Sequence, residues 1–127
     1  MKALIITDGT ESIQSIALLI KESLADYKTD IYTADNFLGN EILPADIFFI
    51  GCQEPSPASF EFLETMLSHI NLASRKCGVF SINKKTGKYL LSILKDSEVY
   101  TSEPLIVSNL SEVKKADIKK WLKTINK

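Results

Sequence analysis

Met1-Lys2-Ala3-Leu4-Ile5-Ile6-Thr7-Asp8-Gly9-Thr10-Glu11-Ser12-Ile13-Gln14-Ser15-Ile16-Ala17-Leu18-Leu19-Ile20 opens the chain and decides how the rest is read. Ala3 to Ile6 is an apolar, β-branched run that predicts a buried strand. Thr7 to Ser12 is polar and carries Gly9, the composition of a turn. From Ile13 onward, Ile13, Ile16, Ala17, Ile20 and Leu24 recur at helical spacing, so a helix is predicted from Ser12 to about Asp26. Ser12 or Thr10 serves as its N-cap. A strand that passes through a small-residue loop into a helix N-terminus is suited to hold an anion, because loop amides and helix dipole both favour negative charge there.

The same alternation continues along the chain. Thr29-Asp30-Ile31-Tyr32-Thr33 is short and β-branched, a second strand. Ala34 to Pro44 holds Asp35-Asn36 and Gly39-Asn40 and reads as a loop with at most a short helical turn. Asp46-Ile47-Phe48-Phe49-Ile50-Gly51 is apolar at every position after Asp46, the pattern of a strand covered on both faces. Pro55 and Pro57 make Cys52 to Pro57 a loop. Ala58 to Asn71 is a helix with Leu63, Met66, Leu67 and Ile70 inward and Phe60 at its start. Lys76 to Ser81 is a fourth strand, and Ile82 to Gly87 a polar loop carrying Lys84 and Lys85. Lys88 to Lys95 is a helix. Glu98 to Val107 is a last strand, interrupted or bent near Pro104. Asn109 to Val113 enters a final helix with Ile118, Trp121, Leu122 and Ile125 on one face and lysines 114, 115, 119, 120 and 123 on the other. The order β-α-β-(short α)-β-α-β-α-β-α implies a parallel sheet between two helix layers.

Bulk properties narrow the function. A chain of 127 residues is expected to be a single domain spanning 1–127. Hydrophobic residues make up 45% and charged residues 24%, ordinary for a globular protein. The formal net charge is −1 and Arg75 is the sole arginine, so neither nucleic acid nor a membrane surface is an expected partner. Cys52 and Cys77 are too few and too scattered for a disulfide framework or zinc site. Neither a leader-type segment nor an apolar run of ~18 residues is visible, so a cytoplasmic location with reduced thiols is expected. His69 has no cysteine or carboxylate at ligand spacing, and one histidine supports no Ser-His-Asp set.

Over nearly its whole length the chain resembles the flavodoxin-like family. Lys2-Ala3-Leu4-Ile5-Ile6 leads into the first loop. Ala45 to Gly51 is similar to the family's acid, apolar strand, glycine pattern. Lys76 to Ser81 resembles its fourth strand, and Leu91 to Tyr100 the run into its last. The resemblance implies an α/β three-layer sandwich with a five-stranded parallel sheet in the order 2-1-3-4-5. It also implies flavin mononucleotide (FMN) at the carboxyl ends of strands 1, 3 and 4. A receiver-type reading of the same layout is weakened by Gly51-Cys52, where a phosphoacceptor aspartate would stand.

Three loops carry the implied site: Thr7, Asp8, Gly9, Thr10, Glu11 and Ser12; then Cys52, Gln53 and Glu54; then Ser81, Ile82 and Asn83. Flavodoxins show roughly Ser/Thr-x-Thr-Gly-x-Thr in the first. Here Thr7 and Ser12 match as hydroxyl positions, the inner glycine and threonine are exchanged as Gly9-Thr10, and Glu11 sets a carboxylate beside the phosphate position. Like charges at ~4–6 Å oppose one another. The same residues also suit an ordinary strand-to-helix turn, with Glu11 favoured by the dipole. In the second loop the resemblance implies that backbone groups of Cys52 to Glu54 meet the flavin edge, but no Tyr or Trp is present to stack on it. Phe60 is expected under its helix and Cys52 as a small buried residue. Tyr89 lies just beyond the third loop.

The resemblance therefore implies an FMN-binding electron carrier between redox partner proteins, rather than a stand-alone enzyme, in which Glu11 and Glu54 would lower the flavin potential. The altered first loop and missing aromatic imply an alternative, a flavodoxin-fold interaction module without flavin. A third reading is a reductase-associated subunit that borrows flavin from its partner.

Overall fold

Burial along the central strands explains the layers. In β1 (Lys2–Thr7) Leu4 and Ile6 face one side while Ala3 and Ile5 face the other, and all four are buried. In β3 (Ile47–Gly51) Phe48 and Ile50 share the first side, Ile47 and Phe49 the second. A strand apolar on both faces needs a helix layer on each. The computed structural model describes residues 1–126 and supplies those layers. Helices α1 (Glu11–Ser23) and α4 (Lys115–Ile125) cover one face, where Ile13, Ile16, Ile20, Ile118, Trp121 and Ile125 meet Ile5 and Phe49. Helices α2 (Glu61–Leu67) and α3 (Lys84–Leu94) cover the other, where Leu63, Leu67, Leu90 and Leu94 meet Ile6, Phe48 and Val79.

All pairings are parallel. With β2 (Lys28–Thr33), β4 (Lys76–Ser81) and β5 (Tyr100–Thr101), the order is β2-β1-β3-β4-β5, and β6 (Leu105–Ile106) also pairs with β4. The expected break at Pro104 is therefore real: β5 and β6 are two short pieces on one edge, joined by 102–104. From β1 the chain turns outward to β2, then returns to β3 on β1's other side. The connections after β1 and β3 thus run in opposite directions and leave a crevice between their carboxyl ends. No helix among the described residues is long and apolar enough to cross a membrane.

Helix bounds differ from expectation for local reasons. Helix α1 ends at Ser23, three residues before Asp26, and α2 spans only Glu61–Leu67 after a 3₁₀ turn at Ala58–Phe60. Helix α4 starts at Lys115, where the Asp117 carboxylate accepts the Lys114 N–H at 3.2 Å. The largest correction concerns α3. It begins at Lys84, so Lys84 to Gly87 form its first turn rather than a loop. Asn83 Oδ1 accepts the Thr86 N–H at 2.8 Å and nucleates the helix four residues before its apolar stripe becomes legible.

Candidate functional site

The crevice is lined by the ends of β1, β3 and β4, and its residues are drawn together by hydrogen bonds. Thr7 closes β1 and is buried; its hydroxyl donates to Gln14 Oε1 at 3.0 Å and accepts the Gly9 N–H at 3.2 Å. Gly9 has φ +81°, a left-handed turn that only glycine adopts without strain. The turn brings Thr10 back over Asp8, whose Oδ1 accepts from the Thr10 N–H at 3.0 Å and the Thr10 hydroxyl at 2.6 Å. Asp8 Oδ2 accepts the Gln53 N–H at 2.8 Å, across 45 positions of sequence.

Gln53 is the hub of the three loops. Besides its N–H to Asp8, its Oε1 accepts from the Ser12 hydroxyl at 3.2 Å. Its carbonyl accepts from Asn83 Nδ2 at 3.1 Å and from the Thr86 hydroxyl at 3.2 Å. Ser81 is buried at the end of β4, and its hydroxyl donates to the Cys52 carbonyl at 2.7 Å. Ile82 is half-buried against the α1/α4 layer, and Glu11 and Glu54 are exposed. The candidate residues thus converge on one end of the sheet, and most of their polar groups are engaged with one another.

Two features face outward. Thr10 occupies the N-cap of α1 yet makes no capping bond, because its hydroxyl is turned to Asp8. The first α1 hydrogen bond is Gln14 N–H to the Thr10 carbonyl at 2.9 Å, which leaves the N–H groups of Glu11, Ser12 and Ile13 without a helical acceptor. Thr10, at the N-cap, also lines a groove of about 500 Å³ together with Asp8 and residues 53–59, with Pro55 and Pro57 as apolar walls. Ser56 at φ +53° makes the bend of this wall.

Among the described residues no aromatic ring lines that groove. Phe60 is fully buried beneath α2, as expected. Tyr89, on α3, turns its hydroxyl to Glu64 Oε1 at 2.5 Å; burial, then the bond to Glu64, hold that phenol well above its ordinary pKa. The Cys52 thiol donates to the Glu54 carbonyl at 3.3 Å. Burial, then the Asp8 and Glu64 carboxylates, push it up to about 12, so it is a packing group and not a nucleophile. His69, exposed beyond α2, has Nδ1 2.8 Å from the Thr65 carbonyl. Trp121 packs on Phe49 with ring centroids 5.8 Å apart and donates to the Glu103 carbonyl at 2.9 Å.

Gln14, Thr86 and the wall 55–59 were not evident as site residues. Thr86 had one signal, its spacing three residues after Asn83, the separation an N-cap uses. Gln14 had none, since a polar residue on a helix reads as solvent-facing.

No family model matches the sequence, and no curated protein does. Solved structures match nearly end to end. Oxidised Flavodoxin 2 from Bacillus cereus shares 20% identity at a TM-score of 0.78, covering 99% of this chain and 98% of its own. A short-chain flavodoxin associated with a bacterial microcompartment shares 12% at a TM-score of 0.82, covering 99% and 97%. A flavodoxin from Streptococcus pneumonia TIGR4 shares 12% at 0.76, covering 98% and 97%. With the strand order β2-β1-β3-β4-β5 between two helix layers, this chain has the flavodoxin-like fold.

Proposed function

We propose that this chain holds FMN at the carboxyl ends of β1, β3 and β4 and carries electrons between redox partner proteins. The observation that carries the reading is the uncapped start of α1 at the topological switch point, beside a groove. The donor set suits a phosphate: the Glu11, Ser12 and Ile13 N–H groups lie in the positive end of the helix dipole. The Ser12 hydroxyl can turn from Gln53 to join them. Pro55 and Pro57 offer apolar surface to a ring, and the backbone beyond Gln53 offers polar groups to its edge. When bound, the flavin supplies the one- and two-electron chemistry. The chain's own residues bind and orient it, and the Asp8, Glu11 and Glu54 carboxylates make added negative charge on it less favourable, which lowers its potential.

Two observations favour the second reading, an interaction module without flavin: Asp8 already supplies an anion to the loop amides, and among the described residues no aromatic ring lines the groove at Thr10. A visible spectrum of the purified protein and a fluorescence titration of the apo form with FMN separate the two. A yellow protein, or quenching with a micromolar or tighter Kd, supports the carrier. Absence of quenching at large excess of FMN leaves the interaction module.

A further inference from the structure

Four donors at the mouth of the crevice are already engaged within the protein. The Gly9 N–H donates to Thr7 Oγ1 at 3.2 Å. The Thr10 N–H and hydroxyl donate to Asp8 Oδ1 at 3.0 and 2.6 Å, and the Gln53 N–H donates to Asp8 Oδ2 at 2.8 Å. Asp8 therefore takes three of the four, from two loops, with both of its oxygens. A loop holds a bound phosphate in the same way, with the oxygens of one anion spread over amide and hydroxyl donors. Asp8 is part of the loop, so it competes for these donors without the loss of free motion that a ligand's phosphate suffers on binding.

The charge around the groove points the same way. Its lining, Asp8, Thr10 and residues 53–59, contains the carboxylates of Asp8 and Glu54 and neither lysine nor arginine. Glu11 adds a third carboxylate in the first turn of α1. Lys84 and Lys85, which open α3, are exposed and lie outside the lining. A phosphate is left with the N–H groups of Glu11, Ser12 and Ile13. The helix dipole favours an anion there, and the Asp8 and Glu11 carboxylates oppose it. An uncharged ring meets no such opposition, and Pro55, Pro57 and Ala58 give it apolar surface.

We infer that this groove holds flavin by its ring and gains nothing from the phosphate, so that riboflavin binds as tightly as FMN, with Asp8 as the residue that fixes this preference. The inference rests on the flavin reading of the groove and concerns which part of the ligand carries the affinity. Asp8 ties Thr10 to Gln53 before any ligand arrives, the task a phosphate performs in an open anion site. A phosphate entering beside it meets a like charge, and to use the same donors it has to displace three hydrogen bonds.

The test is a pair of fluorescence titrations of the apo chain, one with riboflavin and one with FMN, each at about 0.02 and 0.3 M NaCl. The two Kd values are expected to agree within about threefold at low salt. Added salt is expected to favour FMN relative to riboflavin, because it screens the phosphate from Asp8, Glu11 and Glu54. In Asp8→Asn the ratio of the two Kd values moves about tenfold toward FMN, and a ratio is insensitive to a loosened loop that both ligands share. FMN more than about threefold tighter than riboflavin in the unmutated chain, an FMN advantage that salt erodes, or an unchanged ratio in Asp8→Asn overturns the inference and leaves the flavin reading intact. Absence of quenching by either ligand removes the flavin reading, and the inference falls with it.

Discussion

Asp8 is an aspartate held within hydrogen-bond reach of two backbone amides, Thr10 and Gln53, at the end of β1. It both staples the first two loops and places negative charge where the FMN reading needs a phosphate. Removing one charge a few ångströms from a dianion in a partly solvated site is worth on the order of 1–2 kcal/mol. Asp8→Asn removes that charge but also replaces one accepting oxygen with a donor and loosens the staple, so FMN is expected to tighten relative to riboflavin by about tenfold whatever the loosened loop does to both; the ratio of Kd values from matched fluorescence titrations checks it. Glu11→Thr should change FMN affinity less than about threefold, since Glu11 is exposed and screened.

The thiols make a separate prediction at the same scale. Folding holds Cys52 and Cys77 protonated, Cys77 by burial alone, while the unfolded thiols ionise near their usual pH. Their contribution to stability is whole below pH ~8.5 and is lost as the pH rises toward 12, with Tyr89 acting in the same direction. Melting temperature should hold steady from about pH 6 to 8 and fall above about 9, and native protein should react slowly with a thiol reagent until it unfolds.

At the scale of elements, unbroken apolar runs located β1, β3 and β4, which are covered on both faces, and a 3.6-residue apolar repeat located α1 and α4. It failed at the start of α3, whose first turn, Lys84-Lys85-Thr86-Gly87, is polar and contains glycine. That turn is helical because Asn83 caps it and because Gly87 lets it approach Ile106 and Pro104, where a Cβ would lie 3.0 and 3.1 Å from side-chain carbons. Close approach also governs Gly78 in β4. A Cβ there would stand 2.6 Å from Ile125 Cδ1, 2.7 Å from Trp121 Cη2 and 2.8 Å from Phe49 Cδ1. Gly78→Ala forces α4 off the sheet and is expected to cost about 1–3 kcal/mol, read as a lowered urea midpoint with the slope preserved.

Across the whole molecule, charge is sorted from one sheet edge to the other: residues 1–74 carry 11 carboxylate side chains and three lysines, whereas residues 75–127 carry 12 cationic side chains and five carboxylates. Among the described residues one ion pair, Lys115 Nζ to Glu22 Oε2 at 3.0 Å, joins α4 to α1 over the boundary, and both side chains are about half exposed. At low ionic strength and pH 7 the protein should bind both anion and cation exchangers and leave each by about 0.2 M NaCl, as screening shortens the field to less than a domain width. A uniformly charged protein of net −1 would be retained by neither.

The layered sheet is written in the local pattern, since strands apolar on both faces and helices apolar on one admit few other arrangements. The strand order, and with it the three loops that reach the crevice, came from the resemblance to flavodoxins rather than from pattern. What those loops do to one another follows from packing alone. Asp8 reaches Gln53, and Gln53 reaches Ser12, Asn83 and Thr86, through contacts that no local pattern encodes. A side-chain oxygen between two loops bonds whatever donor the fold brings within about 3 Å, and that distance is a property of the packed sheet rather than of spacing along the chain.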